Sequence, residues 1–359
     1  MKSVIDRIDK VFRNAKVDAI VLINTETQDS NFLYLTGFTS GVFEDTILIV
    51  TKSRLIMPTN MLEYDIAREQ RPKEMLVLKV ESREVYKKML TKYLKNKVVG
   101  INGDFLPYSY YKRIRKYSKK LVDVSGAFRS AREIKAEDEI SNIRKANGIT
   151  KIALKEIQKY FKTGITEKEL AAQFDYLMMK HGANGAAFPS IVAFDKNTAL
   201  PHHMPDDTKL TSNSLVLLDV GAKYNNYCSD LTRTFIFKPD KKSDRYRTML
   251  EIYSIVKGAQ KLALKNIRPG VDGSRVYTEI VNYINSAGGG KYKNRFIHGL
   301  GHSIGIEVHD PGTGLGARKK SFLKENMIFS DEPGIYLYGF GGVRIEDDVL
   351  VTKNGAVFL

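Results

Sequence analysis

A single cysteine, Cys228, stands in the 359 residues, so no internal disulfide can form and nothing points to an oxidising compartment. Glycine (27) and proline (10) are not enriched, which excludes collagen-like and disordered chains. No run approaches the roughly 18 uninterrupted apolar residues of a membrane span. The first residues lack the apolar core of a secretory signal, because Asp6, Arg7, Asp9 and Lys10 fall where it would lie. A cytoplasmic protein is expected. Repeats and low-complexity segments are also missing, and histidine is absent before His181.

Acidic residues are outnumbered, 41 against 57 Lys and Arg, for a net charge of +16. The excess is spread over both halves without an uninterrupted block, so it reads as a lysine-rich solvated surface. Neither a specific nucleic-acid partner nor a membrane is expected. The length favours two domains. In the first half, a helical stripe over Met1–Lys16 precedes short apolar runs at 18–23, 32–38, 46–51, 55–58, 76–80 and 98–101. These read as strands alternating with charged helical stretches, an α/β pattern. A boundary is expected near 127–133. Beyond it, apolar residues recur at helical spacing over 135–159, and Thr166 with Glu169 forms a capping box. Strand-like runs follow at 190–194, 215–220 and 231–237, then helices at 246–266 and 274–287, then strands at 327–329, 334–338 and 348–352.

Five of the six histidines sit in two clusters, His202 with His203 and the string HGLGHSIGIEVH carrying His298, His302 and His309. Such clustering serves metal binding or proton transfer. His181 and His203 read as structural or surface residues. The four-residue spacing of His298 and His302 mimics a zinc-protease helix, yet Gly299 replaces the required glutamate and the glycines disfavour a helix. The segment therefore reads as strand or loop. Leu215–Phe237 reads as a hairpin with a turn over 223–226, equidistant from Asp219 and Asp230. Without a bulge these aspartates would face each other with Cβ atoms ~5 Å apart, which favours a cation between them. Glu332 precedes a Pro-Gly turn, and strand alternation puts Arg344, Glu346 and Asp348 on one face. Four carboxylates and a histidine suit two divalent cations.

The order and spacing of Asp219, Asp230, His302, Glu332 and Glu346 resemble the five metal ligands of the pita-bread metallopeptidases, the family of methionine aminopeptidase, aminopeptidase P and prolidase. The strings LLDVGAKYNNYCSDLTRT, HGLGHSIGIEVHD, DEPGIY and GGVRIEDDVLVT carry the likeness. DAIVLI with NFLYLTGF is similar to the creatinase-type N-terminal domain, and AREIKAEDEISNIRKA to the family's lead-in to its catalytic domain. The resemblance implies an α/β (α+β) fold: a creatinase-like N-terminal domain over 1–130, then a pita-bread catalytic domain over 131–359 with a curved antiparallel sheet. It implies the proline-specific branch, hydrolysing Xaa-Pro bonds of dipeptides or short peptides. The alternatives are an aminopeptidase P acting on longer Xaa-Pro-Yaa peptides, a metal-free creatinase-like hydrolase, and a non-catalytic module binding nucleic acid or an acidic partner.

The same resemblance implies two divalent ions per subunit, manganese or cobalt before zinc or iron, and a homodimer. Asp219 would chelate one ion, Asp230 and Glu346 would span both, and His302 and Glu332 would complete one shell. A bridging hydroxide would attack, with Glu332 shuttling the proton. His202 and His309 would bind substrate and assist, His298 would stand near the substrate, and Arg344 would hold a ligating carboxylate. The chain departs from the family pattern at Phe194, Asp195 and Lys196, and at Asp310 where prolidases commonly have glutamate; both departures are expected at the pocket rim. Cys228 reads as a small packed thiol.

Overall fold

The structure, a computed structural model, describes residues 4–317 and 320–359. Contacts divide the chain into two compact units, Met1–Arg132 and Glu133–Leu359. In the first, α1 (Val4–Asn14), β1 (Ala19–Ile23), α2 (Ser30–Thr36), β2 (Ile47–Val50), β3 (Leu55–Thr59) and α3 (Met61–Gln70) come in that order. Then follow β4 (Met75–Lys79), α4 (Arg83–Leu94), β5 (Val98–Ile101), α5 (Tyr108–Arg115), β6 (Lys120–Asp123) and α6 (Ser125–Glu133). One six-stranded sheet runs β4-β3-β2-β1-β5-β6. It is mixed, with antiparallel pairs around β2 and parallel pairs elsewhere. Alternate residues Ala19, Val21 and Ile23 pack with Ile47 and Ile49 against Leu90 and Leu94 of α4.

One strand expected from sequence is a helix. Residues 32–36 of the run 32–38 lie in α2, where Asp29 caps the N-terminus through the amide of Asn31 and Gly37, at φ 68°, closes the C-terminus. Every residue from Asn31 to Thr36 is buried. With no polar face to expose the 3.6-residue period, a short apolar helix looks like a buried strand.

The second unit opens with α7 (Glu137–Ile157) and α8 (Glu167–Lys180). The Thr166–Glu169 capping box forms as its residues require, each side chain accepting from the other's backbone amide. Then come β7 (Gly185–Ala186), β8 (Ile191–Phe194), β9 (Ser214–Val220), β10 (Ala222–Tyr224), β11 (Tyr227–Cys228) and β12 (Leu231–Phe237). Helices α9 (Asp244–Asn266) and α10 (Gly273–Ser286) follow. The chain ends in β13 (Ile328–Asp331), β14 (Gly334–Leu337), β15 (Gly341–Arg344), β16 (Asp347–Thr352) and β17 (Gly355–Phe358). All strand pairs recorded in this unit are antiparallel.

Strand alternation sorts the side chains. Val216, Leu218 and Val220 of β9 join Ile149, Leu170 and Phe174 of the first helical pair, leaving Asp219 on the opposite face. Phe329, Val343, Val349 and Val351 join Ile252, Val256 and Ile280 of α9 and α10, and so turn Glu332 and Glu346 the other way. Two helical layers thus take the apolar faces and leave one polar face open. Among the described residues no helix is long and apolar enough to cross a membrane.

The hairpin differs from the sequence expectation by one position. Lys223 and Tyr224 are strand residues, and the turn is Asn225-Asn226 at φ 47° and 72°, flanked by the Tyr224–Tyr227 pair. Two left-handed asparagines give the primed turn that suits strand twist. Asp219 consequently faces Thr232, not Asp230. The ladder is interrupted where Gly221 passes Ser229; a Cβ on Gly221 would stand 2.0 Å from the Ser229 carbonyl oxygen. Gly221→Ala is therefore expected to destabilise the protein by about 1–3 kcal/mol, seen as a lower urea midpoint at unchanged slope; an unchanged midpoint would show that the hairpin yields freely there.

Candidate metal centre

Four carboxylates and one imidazole reach a single cavity of about 450 Å³ from five places in the second unit. Asp219 comes from β9, and Asp230 from the break between β11 and β12. Glu332 follows β13, its amide donating to Leu300 O at 2.9 Å. Glu346 sits between β15 and β16, its amide donating to Thr232 O at 3.1 Å. His302 lies in an extended segment, not a helix: Gly301 bridges Leu315 and Ser303 bridges Phe329. A Cβ on Gly301 would stand 1.8 Å from Ser330 O, so the glycine-rich string lets this segment lie against β13.

His302 Nε2 is 3.5 Å from Asp230 Oδ2 and 3.5 Å from Glu332 Oε1. Ligand atoms of Asp230, His302 and Glu346 all lie within 4.8 Å of one another. The remaining sequence candidates open on the same cavity: His202, His298, His309 and Arg344. Arg344 is buried and donates through Nη2 to Asp219 Oδ2 at 2.5 Å and through Nε to Thr232 Oγ1 at 3.0 Å. Thr232 Oγ1 donates in turn to Glu346 Oε2 at 2.5 Å. Phe188, Ile191, Pro201 and Val308 give the cavity an apolar wall.

Burial and like charge set the electrostatics. Desolvation, then Glu346 and Asp219, push the Asp230 carboxyl well above its usual range. Desolvation, then Glu332 and Asp219, do the same to Glu346. Glu332 is raised to about 8, mainly by burial. Burial lowers His302 and His298 to about 4, so both imidazoles are neutral at pH 7. Asp219 Oδ1 and Asp230 Oδ1 are buried without a hydrogen-bond partner. Orphaned carboxylate oxygens, crowded acids and a neutral imidazole nitrogen are the donor set that divalent cations complete; the residues fit the implied metals.

Several expectations meet a different arrangement. Phe194, Asp195 and Lys196 are not among the cavity residues. Phe194 is core, and Asp195 is engaged with Ser214, Leu215 and Arg245. Asp310 also turns away, into a buried pair with Lys135 at 3.3 Å. His181 and His203 take structural partners, as expected, Glu156 and Glu167. Cys228 is buried, its Sγ 3.3 Å from Ile306 O, and burial lifts its thiol to about 12.

Sequence reading missed Tyr336, whose hydroxyl accepts from Arg344 Nη1 at 2.9 Å and lies 2.7 Å from His298 Nε2. It also missed Thr232 and the Asn147–Asp348 pair, which sits 3.1 Å from the Asp230 amide. Thr232 was open to period-two counting from Asp230. Tyr336 sat inside an apolar strand run, and Asn147 inside a helix 201 residues from its partner.

Carboxyls raised in the folded state keep protons that the unfolded chain releases. The metal-free centre therefore becomes increasingly destabilising as pH rises from 4.5, the ordinary glutamate value, to about 8. In chelator the melting temperature is expected to fall across that window, and saturating Mn²⁺ is expected to restore it while releasing protons. Asp230→Asn should raise the melting temperature of the chelated protein at pH 8 and remove the Mn²⁺-induced increase. A flat profile in chelator would mean that these acids do not share one buried field.

Residues 141–353 match metallopeptidase family M24, and residues 5–134 match the creatinase/prolidase N-terminal domain. A Xaa-Pro dipeptidase of Pyrococcus horikoshii is 34% identical over 359 residues, spanning 99% of this chain and 95% of its own. The crystal structure of X-Pro aminopeptidase from Thermotoga maritima superposes with a TM-score of 0.87 at 32% identity, covering 98% of this chain and 97% of that one. The Xaa-Pro dipeptidase from Bacillus anthracis gives 0.86 at 30%, covering 99% and 96%. With its buried acid-and-imidazole centre borne on antiparallel strands, and a mixed-sheet unit preceding it in the chain, the chain belongs to metallopeptidase family M24, in the pita-bread, proline-specific branch that carries a creatinase/prolidase N-terminal domain.

Proposed function

We propose that this protein is an Xaa-Pro dipeptidase, a metal-dependent enzyme that hydrolyses the bond preceding proline in dipeptides or short peptides. One observation carries the reading: the five candidate ligands and three further histidines open on one cavity. Asp219, Asp230, His302, Glu332 and Glu346 would hold two divalent ions. Such ions polarise a carbonyl and make water nucleophilic at neutral pH. Manganese or cobalt is placed before zinc or iron by the resemblance alone, since by ligand chemistry four carboxylates and a single imidazole suit all four.

The chain's own residues do the rest. A bond before proline is a tertiary amide without an N–H, and its leaving nitrogen must gain a proton. Glu332, at the cavity wall and adjoining His302, takes the proton from the attacking water and delivers it to that nitrogen. His202 and His309 donate to the carbonyl oxygen as charge develops there. Arg344 keeps Asp219 in place through their 2.5 Å bond. His298, fixed by Tyr336, lines the substrate side. A homodimer working in the cytoplasm is part of the proposal, and a lone buried thiol suits a reducing compartment.

A second reading, aminopeptidase P, has support in the likeness to the Thermotoga maritima X-Pro aminopeptidase. Chelated enzyme assayed on Xaa-Pro dipeptides and Xaa-Pro-Yaa tripeptides, with and without Mn²⁺ or Co²⁺, separates the two. Metal-restored turnover of dipeptides alone supports the dipeptidase, and turnover of tripeptides as well supports the alternative. No turnover of either with metal bound would overturn both. Glu332→Gln is expected to lower kcat by about 10²- to 10⁴-fold.

A further inference from the structure

Glu167, the first residue of α8, buries its carboxylate completely. Its Oε1 accepts from the Phe194 amide at 2.7 Å and from Asn197 Nδ2 at 3.0 Å. Its Oε2 accepts from His203 Nε2 at 2.7 Å and from the Asp206 amide at 3.0 Å. Glu167, His203 and Asp206 are close enough together to resemble a cation site. Four donors, however, occupy the roughly four lone-pair positions of a carboxylate, so no oxygen of Glu167 is left to face a cation. The cluster is a mechanical hub. It gathers the end of β8 and the segment that follows onto the start of α8.

That segment carries His202, which is exposed and lines the cavity. The neighbouring His203 turns inward, its amide closing a turn onto Leu200 O at 3.0 Å and its ring reaching Glu167. Among the described residues, the side-chain hydrogen bond that joins residues 200–205 to another element is this one. The stretch before it is pinned separately, by Asp195 to Arg245 and by Thr198 to the Gly342 amide. The placement of His202 therefore rests on Glu167, which takes the neighbouring His203 ring and, four residues past His202, the Asp206 amide. We propose that His203, anchored by Glu167, is the positioning residue that sets His202 at the cavity wall. This rests on the role given to His202 in Xaa-Pro hydrolysis.

Displacing a substrate-facing group by an ångström costs up to about 10²-fold in rate. His203→Ala is expected to lower kcat/KM on an Xaa-Pro dipeptide by about tenfold or more. His203→Gln, whose amide still donates to Glu167, should recover most of the loss. The double variant His202→Ala/His203→Ala should be no worse than His202→Ala alone, because the second change acts through the first. Hydrogen exchange of the metal-loaded protein should rise over residues 200–207 in His203→Ala, and the Mn²⁺-induced rise in melting temperature should be unchanged. Unaltered kcat/KM, unaltered exchange, or a double variant losing the product of the two single effects would each overturn the proposal. A parent protein without Xaa-Pro turnover would overturn the activity reading instead, and the exchange measurement would still decide whether His203 orders this segment.

Discussion

Four carboxylates crowd into one cavity around the neutral imidazole of His302, and that concentration of like charge is the constraint around which the second unit is built. Each acid would be ionised alone in water. Together and desolvated, Asp230, Glu332 and Glu346 are driven toward the protonated form. Specific partners hold the geometry meanwhile: Arg344 on Asp219, Thr232 on Glu346, and Ser330 on Glu332 at 3.2 Å. The folded chain keeps an unfavourable charge arrangement in place through the burial of apolar faces elsewhere, and the binding free energy of cations relieves it.

Around this centre the polar scaffold is largely buried. Lys135, just ahead of α7, reaches Asp310 and Ser303 with almost no solvent exposure on either charge. That lysine ties together Ser303 and Asp310, the residues just after His302 and His309, whose rings lie 4.1 Å apart. Removing one partner of such a pair strands the other charge, at a cost of about 3–5 kcal/mol. Asn147 of α7 and Asp348 of β16 meet in the same manner beside Asp230. Helix α7 is therefore more than an apolar cover, since its Asn147 holds the carboxylate that receives the Asp230 amide.

Much of the fold was legible because period decides it. The alternation in β9 assigns alternate residues to the core and Asp219 to the cavity, and the Thr166–Glu169 box marks where α8 begins. Legibility failed where period was hidden or where a single residue set the register. Helix α2 is buried all round, and the Asn225-Asn226 turn moves the hairpin centre by one residue. The departures from family pattern at Asp195 and Asp310 were misplaced for a related reason: a charged residue next to a site in sequence can find its partner away from that site, here the half-buried Arg245 and the buried Lys135.

The sequence by itself determined the residue types, their order and which strand faces they share, because those follow from local periodicity and turn chemistry. The acids stood out that way, and the resemblance of the surrounding motifs to a known family pointed to the imidazoles of the candidate centre. Only the tertiary structure decided that Asp219 faces Thr232, that Tyr336 joins Arg344 to His298, and that Glu167 gathers the segment carrying His202. Those contacts join residues far apart in the chain, and which donor meets which acceptor is set by how the layers pack, which no local pattern encodes.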